Sequence, residues 1–503
     1  MKIDAAVVKK LGISEAAKRV VSVPLDRLPL LISERCFEGR EGRLSRDVAS
    51  AYSSGTSVSS ETFSMPRKGF GPRPVTLLST RDRIVYDALV HELRRGLPAE
   101  SRSPENWAAF RAFGKSTGRG SAKYIVSLDI ASMYEYVDHA VLRRELLVQT
   151  MDVAHVEATV GLLGEAFGAG RGLPQMTSSS DILADAYLAI LERSLRRHGY
   201  PLSRYADDFR VLAADWATAN HIIEQAAEVA RSIGLVLSAE KTSIKKASKF
   251  ADEDAELQRV LNKYFAAAQA DLESFDDLMD WYVEPREAEP LDEESAMEEA
   301  FHRVLRDWNR GGTASGIPSQ LVAKALRSLR NAANRMSNKG LTQLVFIDPL
   351  KLSSVILYLR ARPEEVAHNW RTARKLAEMK RQSPWAKLWL LTYCSELPYL
   401  PDNRNARFLR GWAKLQLKDG HEVVRAEAAW TLASWGFMSE RRIAELFGSA
   451  TSISRPGIAA AWGRTGASAA GSLSMAIKGA SPLYSDAFEW GGEVRASVLE
   501  RTS

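Results

Sequence analysis

Two aspartates sit side by side inside an apolar run, SRYADDFRVL (203–212), and a third, Asp129, closes another, KYIVSLDI (123–130). A carboxylate withdrawn from water is costly unless a cation or several donors compensate it. Asp129, Asp207 and Asp208 therefore call for a positive partner. If the strand ending at Asp129 lies beside a hairpin built on YADD, the three acids converge on one edge of a sheet. Hard oxygen ligands on a rigid edge suit Mg²⁺, which keeps waters and completes its shell with substrate phosphates. Two such ions activate a hydroxyl and stabilise a leaving pyrophosphate, which is the chemistry of nucleotidyl transfer by in-line displacement.

The surrounding pattern supplies elements that position such a site. KYIVSLDI has the continuous apolar run of a buried strand. DHAVLRRELLVQT (138–150) reads as a helix with Asp138 as N-cap, and His139 belongs to that helix start rather than to a catalytic base. RYADDFRVLA has the length of two short strands around a tight acidic turn. DWATANHIIEQAAEVARSIG (215–234) is helical and ends at Gly234. Residues 121–250 thus alternate strands and helices. Residues 1–120 combine a short helical start with the polar stretch AYSSGTSVSSETFSMPRKGFGPRP (51–74).

The 503-residue chain has ordinary globular composition, with 45% hydrophobic and 26% charged residues. Its two cysteines, Cys36 and Cys394, are too few for a disulfide framework or a Cys-rich zinc site. No signal peptide or membrane-length apolar run is evident, so a cytosolic protein is expected. The net charge of +6 hides an asymmetry: residues 251–300 hold 17 Asp and Glu against 3 Lys and Arg, a balance of −14, which leaves +20 elsewhere. A basic remainder suits a phosphate-rich partner. From about residue 301 onward helix follows helix, as in SQLVAKALRSLRNAANRM, SPWAKLWLLTYCSEL and HEVVRAEAAWTLASWG. Eight of the twelve tryptophans lie from Trp370 onward at core-like positions, as expected of helical repeats that bury their faces on one another.

Over roughly residues 60–245 the chain resembles reverse transcriptases of the group II intron and retron kind. PRKGFGPRPVTLLSTRDRIVYDALVHEL is similar to their fingers block and DIASMYEYVDH to their first palm motif. GLPQMTSSSDILADAYL is similar to the second, YADD to the third and GLVLSAEKT to the fourth. The resemblance implies that Asp129 and Asp207 ligate both Mg²⁺ ions, with Asp208 a weaker ligand and the Ile130 carbonyl a further one. Arg73, with Lys68 or Arg67, meets the incoming triphosphate. Gln175 lines the nucleotide pocket. Tyr134 stacks beneath the sugar and rejects a 2′-hydroxyl, selecting dNTPs, and Lys241 protonates the leaving pyrophosphate.

Three departures narrow the resemblance. The Pro-Gln-Gly of the second motif is Pro174-Gln175-Met176, and its later Ser-Pro is Ser180-Asp181. No basic thumb follows Thr242; the acidic stretch does, and it repels phosphates at short range. This combination resembles the abortive-infection reverse transcriptases of bacteria, the AbiK-like group. The fold class expected is an α+β right-hand fingers and palm domain followed by an all-α HEAT-like repeat domain. The divisions are 1–120 (N-terminal segment and fingers), 121–250 (palm), 251–300 (an acidic helical linker in place of a thumb) and 301–503 (helical repeats).

That resemblance further implies untemplated DNA synthesis from a protein hydroxyl, with the single-stranded product left attached, in homo-oligomers that defend a bacterial cytoplasm against phage. Tyr52, in the polar stretch before the fingers block, is the candidate primer. A templated, retron-like enzyme and a catalytically idle scaffold are the alternatives.

Overall fold

The computed structural model describes residues 1–502 apart from 68–70, 99–100, 115–122, 248–258, 268–292 and 335. The two apolar runs that carry the acids are indeed neighbouring strands. A four-stranded sheet has the order β4-β5-β3-β6, with β3 at Tyr124–Asp129, β4 at Leu202–Tyr205, β5 at Asp208–Ala213 and β6 at Ser243–Lys246. β3 is interior, and Ile125, Val126 and Leu128 on it are almost wholly buried. Every pairing is antiparallel. The alternation of strand and helix along the chain therefore does not build a parallel sheet. The reason is local: the two-residue turn between β4 and β5 reverses the chain before it reaches β3.

Helices Ser178–Arg197 and Trp216–Ser232 pack together, the second against β3 and β5. Their limits follow from their caps. Thr177 and Asp215 accept amides of the first turn, from Ser180 and Thr218. Asp138 caps the helix His139–Thr150, as expected. A separate two-stranded sheet pairs β1 (Ser60–Pro66) with β2 (Pro72–Leu78). Both cysteines are free and buried. Among the described residues no helix is long and apolar enough to cross a membrane.

The chain divides into two compact units. The first comprises Met1–Phe63, Val75–Ala251 and Met438–Ser503. The last of these segments departs from the expected division, which placed it with the helical repeats. Helix Arg455–Arg464 instead packs on Ile32–Arg35 and on the terminal helix Pro482–Thr502. Two glycines permit that last crossing, since a Cβ at Gly463 or Gly491 would strike the carbonyl oxygen of Phe488 or Ala460 at 1.9 and 2.1 Å. Arg43 reaches Asp486 at 2.9 Å and Arg40 reaches Glu493 at 2.6 Å, tying the C-terminal helix to the N-terminal ones.

The second unit comprises Ser64–Pro74 and Asp252–Phe437. Its helices form two rows. One row stacks Glu293–Gly311, Asn338–Ile347, Val366–Ala377 and Arg404–Gln416; the other stacks Ser319–Ser328, Leu352–Arg360, Pro384–Cys394 and Glu422–Ser434. Each helix thus packs against the next but one in sequence, the geometry of a repeating helical array. Trp370 and Trp385 are fully buried between helices, as the pattern of tryptophans predicts. The supposed acidic linker lies largely outside the described residues.

Candidate active site

Strand register sets the acids together. Asp129 at the end of β3 pairs directly with Asp208 at the start of β5, and Asp207 lies in the turn joining β4 to β5. Asp129 is 4% exposed. The crowding leaves an electrostatic signature: the Asp208 carboxyl is pushed up to about 6, first by loss of hydration, then by the charges of Asp207 and Asp129. Asp208 as a residue reaches solvent, but its carboxyl leans on that of Asp129, with which it shares a hydrogen bond.

Lys241 is the cation the chain itself supplies. Its Nζ lies 2.8 Å from Asp129 Oδ1, while most of its side chain remains in solvent. The segment carrying it is pinned by backbone bonds from Ser238 N to Asp129 O (2.8 Å) and from Ala131 N to Val236 O (2.9 Å). These bonds belong to an antiparallel bridge between Ile130 and Leu237 that uses the flanking residues' groups. The Ile130 carbonyl is therefore left out of that bridge, as a ligand there requires.

The turn is held in an unusual shape. Ala206 has φ +54°, a left-handed conformation that a residue with a Cβ rarely adopts. Its neighbours hold it there: Ala206 N donates to Ser101 Oγ at 3.3 Å, and Arg204 Nη1 donates to Ala206 O at 3.1 Å. Arg204 is itself buried between Asp185 (2.7 Å) and Glu192 (2.8 Å) of helix Ser178–Arg197. The acidic hairpin is thus anchored through an ion-pair network beneath it.

Tyr134 joins a second network. Its hydroxyl donates to Asp181 Oδ1 and accepts from Arg102 Nη2 at 2.7 Å. Arg102 also lies 3.4 Å from Asp181. Burial, and then the Asp181 charge, push the phenol well above its ordinary value, and burial also raises the Asp181 carboxyl against the pull of Arg102. For Arg102, loss of hydration is outweighed by Tyr134, Asp181, Asp185 and Asp207.

Gln175 is buried in the loop that follows, which hangs on the Tyr134 backbone through Leu173 N to Tyr134 O at 2.8 Å. Met176 in that loop has φ +69°. Glycine adopts that conformation without strain, and it is the residue the resembled motif carries there.

Not every expected residue gathers here. Tyr52 is a correction: it lies not in a polar loop but inside the helix Glu41–Ser54, fully buried, with its hydroxyl donating to Asp82 at 2.8 Å. Burial and the Asp82 charge raise that phenol far above its ordinary value, so it is the opposite of an available nucleophile. Lys68 lies outside the described residues. Arg67 is exposed after β1, and Arg73 lies half-buried on β2. Both belong to the other unit, and their nucleotide role rests on the resemblance alone. His139 opens its helix with Nε2 2.8 Å from Gly172 O, a structural position.

The sequence profile of the family described as reverse transcriptase (RNA-dependent DNA polymerase) matches residues 65–255. Residues 65–255 form a reverse transcriptase domain. All three acids, Tyr134, Gln175 and Lys241 fall within it. The chain is also similar to the solved structure of telomerase from Candida albicans in complex with a fragment of telomeric RNA. That similarity has 10% identity and a TM-score of 0.29, over 65% of this chain and 66% of that one. The chain thus covers slightly less than two thirds of that telomerase's length. No curated protein matches it in sequence.

Reverse transcriptase domains use divalent metal ions, and the residues present fit them. Two carboxyls in contact, one of them pushed up by burial and then by its neighbours' charges, are an arrangement a cation relieves. Among the described residues no three His, Cys, Asp or Glu side chains are gathered into a ready-made metal cage.

Sequence reasoning missed Arg102, Asp185 and Arg204 in the reverse transcriptase domain. Arg204 stands immediately before YADD, which was the available signal. Arg102 sits in a polar stretch, SRSPEN, with no local pattern to mark it.

Proposed function

We propose that this chain is a DNA polymerase that joins deoxynucleoside triphosphates at Asp129, Asp207 and Asp208, without a template and starting from a hydroxyl of the protein itself. The observation that carries the polymerase reading is the pairing of Asp129 with Asp208 across β3 and β5, with Asp207 in the adjoining turn. Asp129, Asp207 and the Ile130 carbonyl would hold two Mg²⁺ ions, with Asp208 assisting. Bound there, the ions would neutralise the charge developing on attacking and leaving oxygens.

In the reaction a hydroxyl oxygen bonds to the α-phosphorus of a dNTP, the bond from that phosphorus to the bridging oxygen breaks, and pyrophosphate leaves. Lys241 is the proton donor to pyrophosphate in this reading. Tyr134, its ring fixed by Asp181 and Arg102, lies under the sugar and excludes ribonucleotides. Gln175 lines the nucleotide pocket in this reading, while a triphosphate role for Arg73 and Lys68 rests on the resemblance alone.

Untemplated, protein-primed synthesis in homo-oligomers, with the DNA left attached and serving a bacterial cell against phage, rests on the resemblance to abortive-infection reverse transcriptases. Met176 and Asp181, where that resemblance meets its departures, are compatible with a lost template path. The primer is a hydroxyl other than that of Tyr52. The test is purified protein given dNTPs and Mg²⁺ with no nucleic acid. Labelled product that stays with the protein under denaturation and disappears with protease supports the proposal. Strict dependence on added RNA overturns it in favour of a templated enzyme, the reading favoured by the family that residues 65–255 match.

A further inference from the structure

Two neighbouring helices of one row of the array carry charge of a single sign. Helices Val366–Ala377 and Arg404–Gln416, packed side by side, carry seven Arg and Lys and no Asp or Glu. Arg371, Lys375, Arg404, Arg407, Lys414 and Lys418 are all exposed, and among the described residues none of the six forms an ion pair. Positions 404, 407, 411, 414 and 418 follow each other at three- and four-residue steps, so they form one stripe about 20 Å long. A stripe of like charges repels itself, and a polyanion is the partner that relieves it.

Two details refine the partner. Phe408 and Leu415 open to solvent within the stripe at 36% and 69% exposure, and the Arg374 guanidinium lies 5.0 Å from the Phe408 ring centroid. Apolar and aromatic faces among cations suit unstacked bases, which a duplex does not offer. At the centre of the stripe is Gly411, a glycine inside a helix, which costs about 1 kcal/mol relative to alanine. No neighbour explains it, since a Cβ built there meets nothing within 4 Å. Open space over a helical backbone, flanked by cations, is where a ligand's backbone approaches closely.

We propose that this face of the array binds single-stranded nucleic acid, its phosphates along the Arg404–Arg407–Lys414–Lys418 stripe and a base against Phe408. The inference does not depend on catalysis, because binding is measured with no dNTP and no divalent ion. The probe is a fluorescein-labelled oligothymidylate of about 30 nucleotides, long enough to cover the stripe, titrated with full-length protein by anisotropy over a salt series. R404E/R407E/K414E is expected to bind at least tenfold more weakly. Its salt slope should fall by about 2, at roughly 0.7 per lost phosphate contact on a single strand. G411L, which keeps every charge, is expected to weaken binding severalfold with the slope unchanged. R441E/R442E, at arginines already paired with Glu445, serves as the control and should bind as the parent does. Unchanged affinity and slope in the triple variant overturn the proposal, as does equal binding of a duplex of the same length. An equal loss in the control also overturns it, since any cation would then serve.

Discussion

The acidic edge of the sheet and the helical array handle charge in opposite ways. At the edge, like charges are forced together by strand register: Asp129 faces Asp208, and Asp207 sits one residue away in a turn with left-handed backbone. Stability would be served by separating them. In the array, Asp348, Arg362, Glu422 and Glu427 are buried charged residues, but the interior also holds tryptophans such as Trp370 and Trp385, which stability favours. The comparison distinguishes a region built at a cost in stability from a region built for it. Replacing a residue should therefore have opposite consequences in the two places.

The largest effect is expected at the edge. D207N removes a proposed metal ligand, and synthesis should fall by about 10³-fold or more, in line with losses on removing charge stabilisation from a transition state. Thermal unfolding without divalent ions should show no loss of stability, and D208N should be more stable than the parent, because a crowded carboxylate has gone. If D208N melts lower, the acids are not repelling one another and the contrast between the two regions fails. In the array, W370A should leave a large cavity and cost about 3–5 kcal/mol. Chemical denaturation followed by fluorescence of the remaining tryptophans would measure it.

These contrasts also explain what was legible in the chain. The acids were visible because a charge inside an apolar run needs a compensating partner, and the strands around them because short apolar-rich stretches such as YIVSL and FRVLA have few other fates. Buried tryptophans at helical spacing were visible for the same reason. Tyr52 was misplaced because serines and glycine around it suggest a loop. Yet Leu44, Val48 and Tyr52 recur at four-residue steps, and all three point into the core of the first unit. The return of Met438–Ser503 to the N-terminal unit was not legible, since it depends on glycines at a helix crossing and on ion pairs spanning more than 400 residues. Arg102 was missed likewise: its partners Tyr134 and Asp181 are brought to it by the fold alone.

Tyr52 offers a smaller effect with a qualitative readout. Y52F leaves Asp82 without one donor in a buried setting, which should cost about 1–3 kcal/mol. Asp82 Oδ2 keeps its bonds from Ser59 N and Ser79 Oγ, both within 2.8 Å, and Oδ1 keeps that from Arg81 Nε at 3.1 Å, so the fold should persist. DNA made by Y52F should remain attached to the protein as in the parent. Loss of attachment with synthesis retained would return Tyr52 to the role of primer, and would require the helix Glu41–Ser54 to open.

The smallest effect expected, and the most diagnostic for the gate, concerns Asp181. The acid stands where the resembled motif carries proline, and it receives the Tyr134 hydroxyl while Arg102 binds both. Proline has no side-chain acceptor, so in this chain the Tyr134 ring, proposed to lie under the sugar, is positioned by a side-chain acceptor that the motif's proline does not offer. D181N keeps an acceptor and should preserve the choice of dNTP over rNTP within about twofold, because a neutral amide oxygen still takes the phenol's hydrogen bond. D181A removes the acceptor and leaves Arg102 as the hydroxyl's remaining partner among the described residues. A misplaced ring changes discrimination by a steric difference of about 1–2 kcal/mol, so rNTP incorporation should rise roughly tenfold relative to dNTP, with dNTP turnover nearly unchanged. A purely structural role would lower turnover with both nucleotides equally. The ratio of the two substrates, rather than either rate, therefore decides whether Asp181 positions the gate.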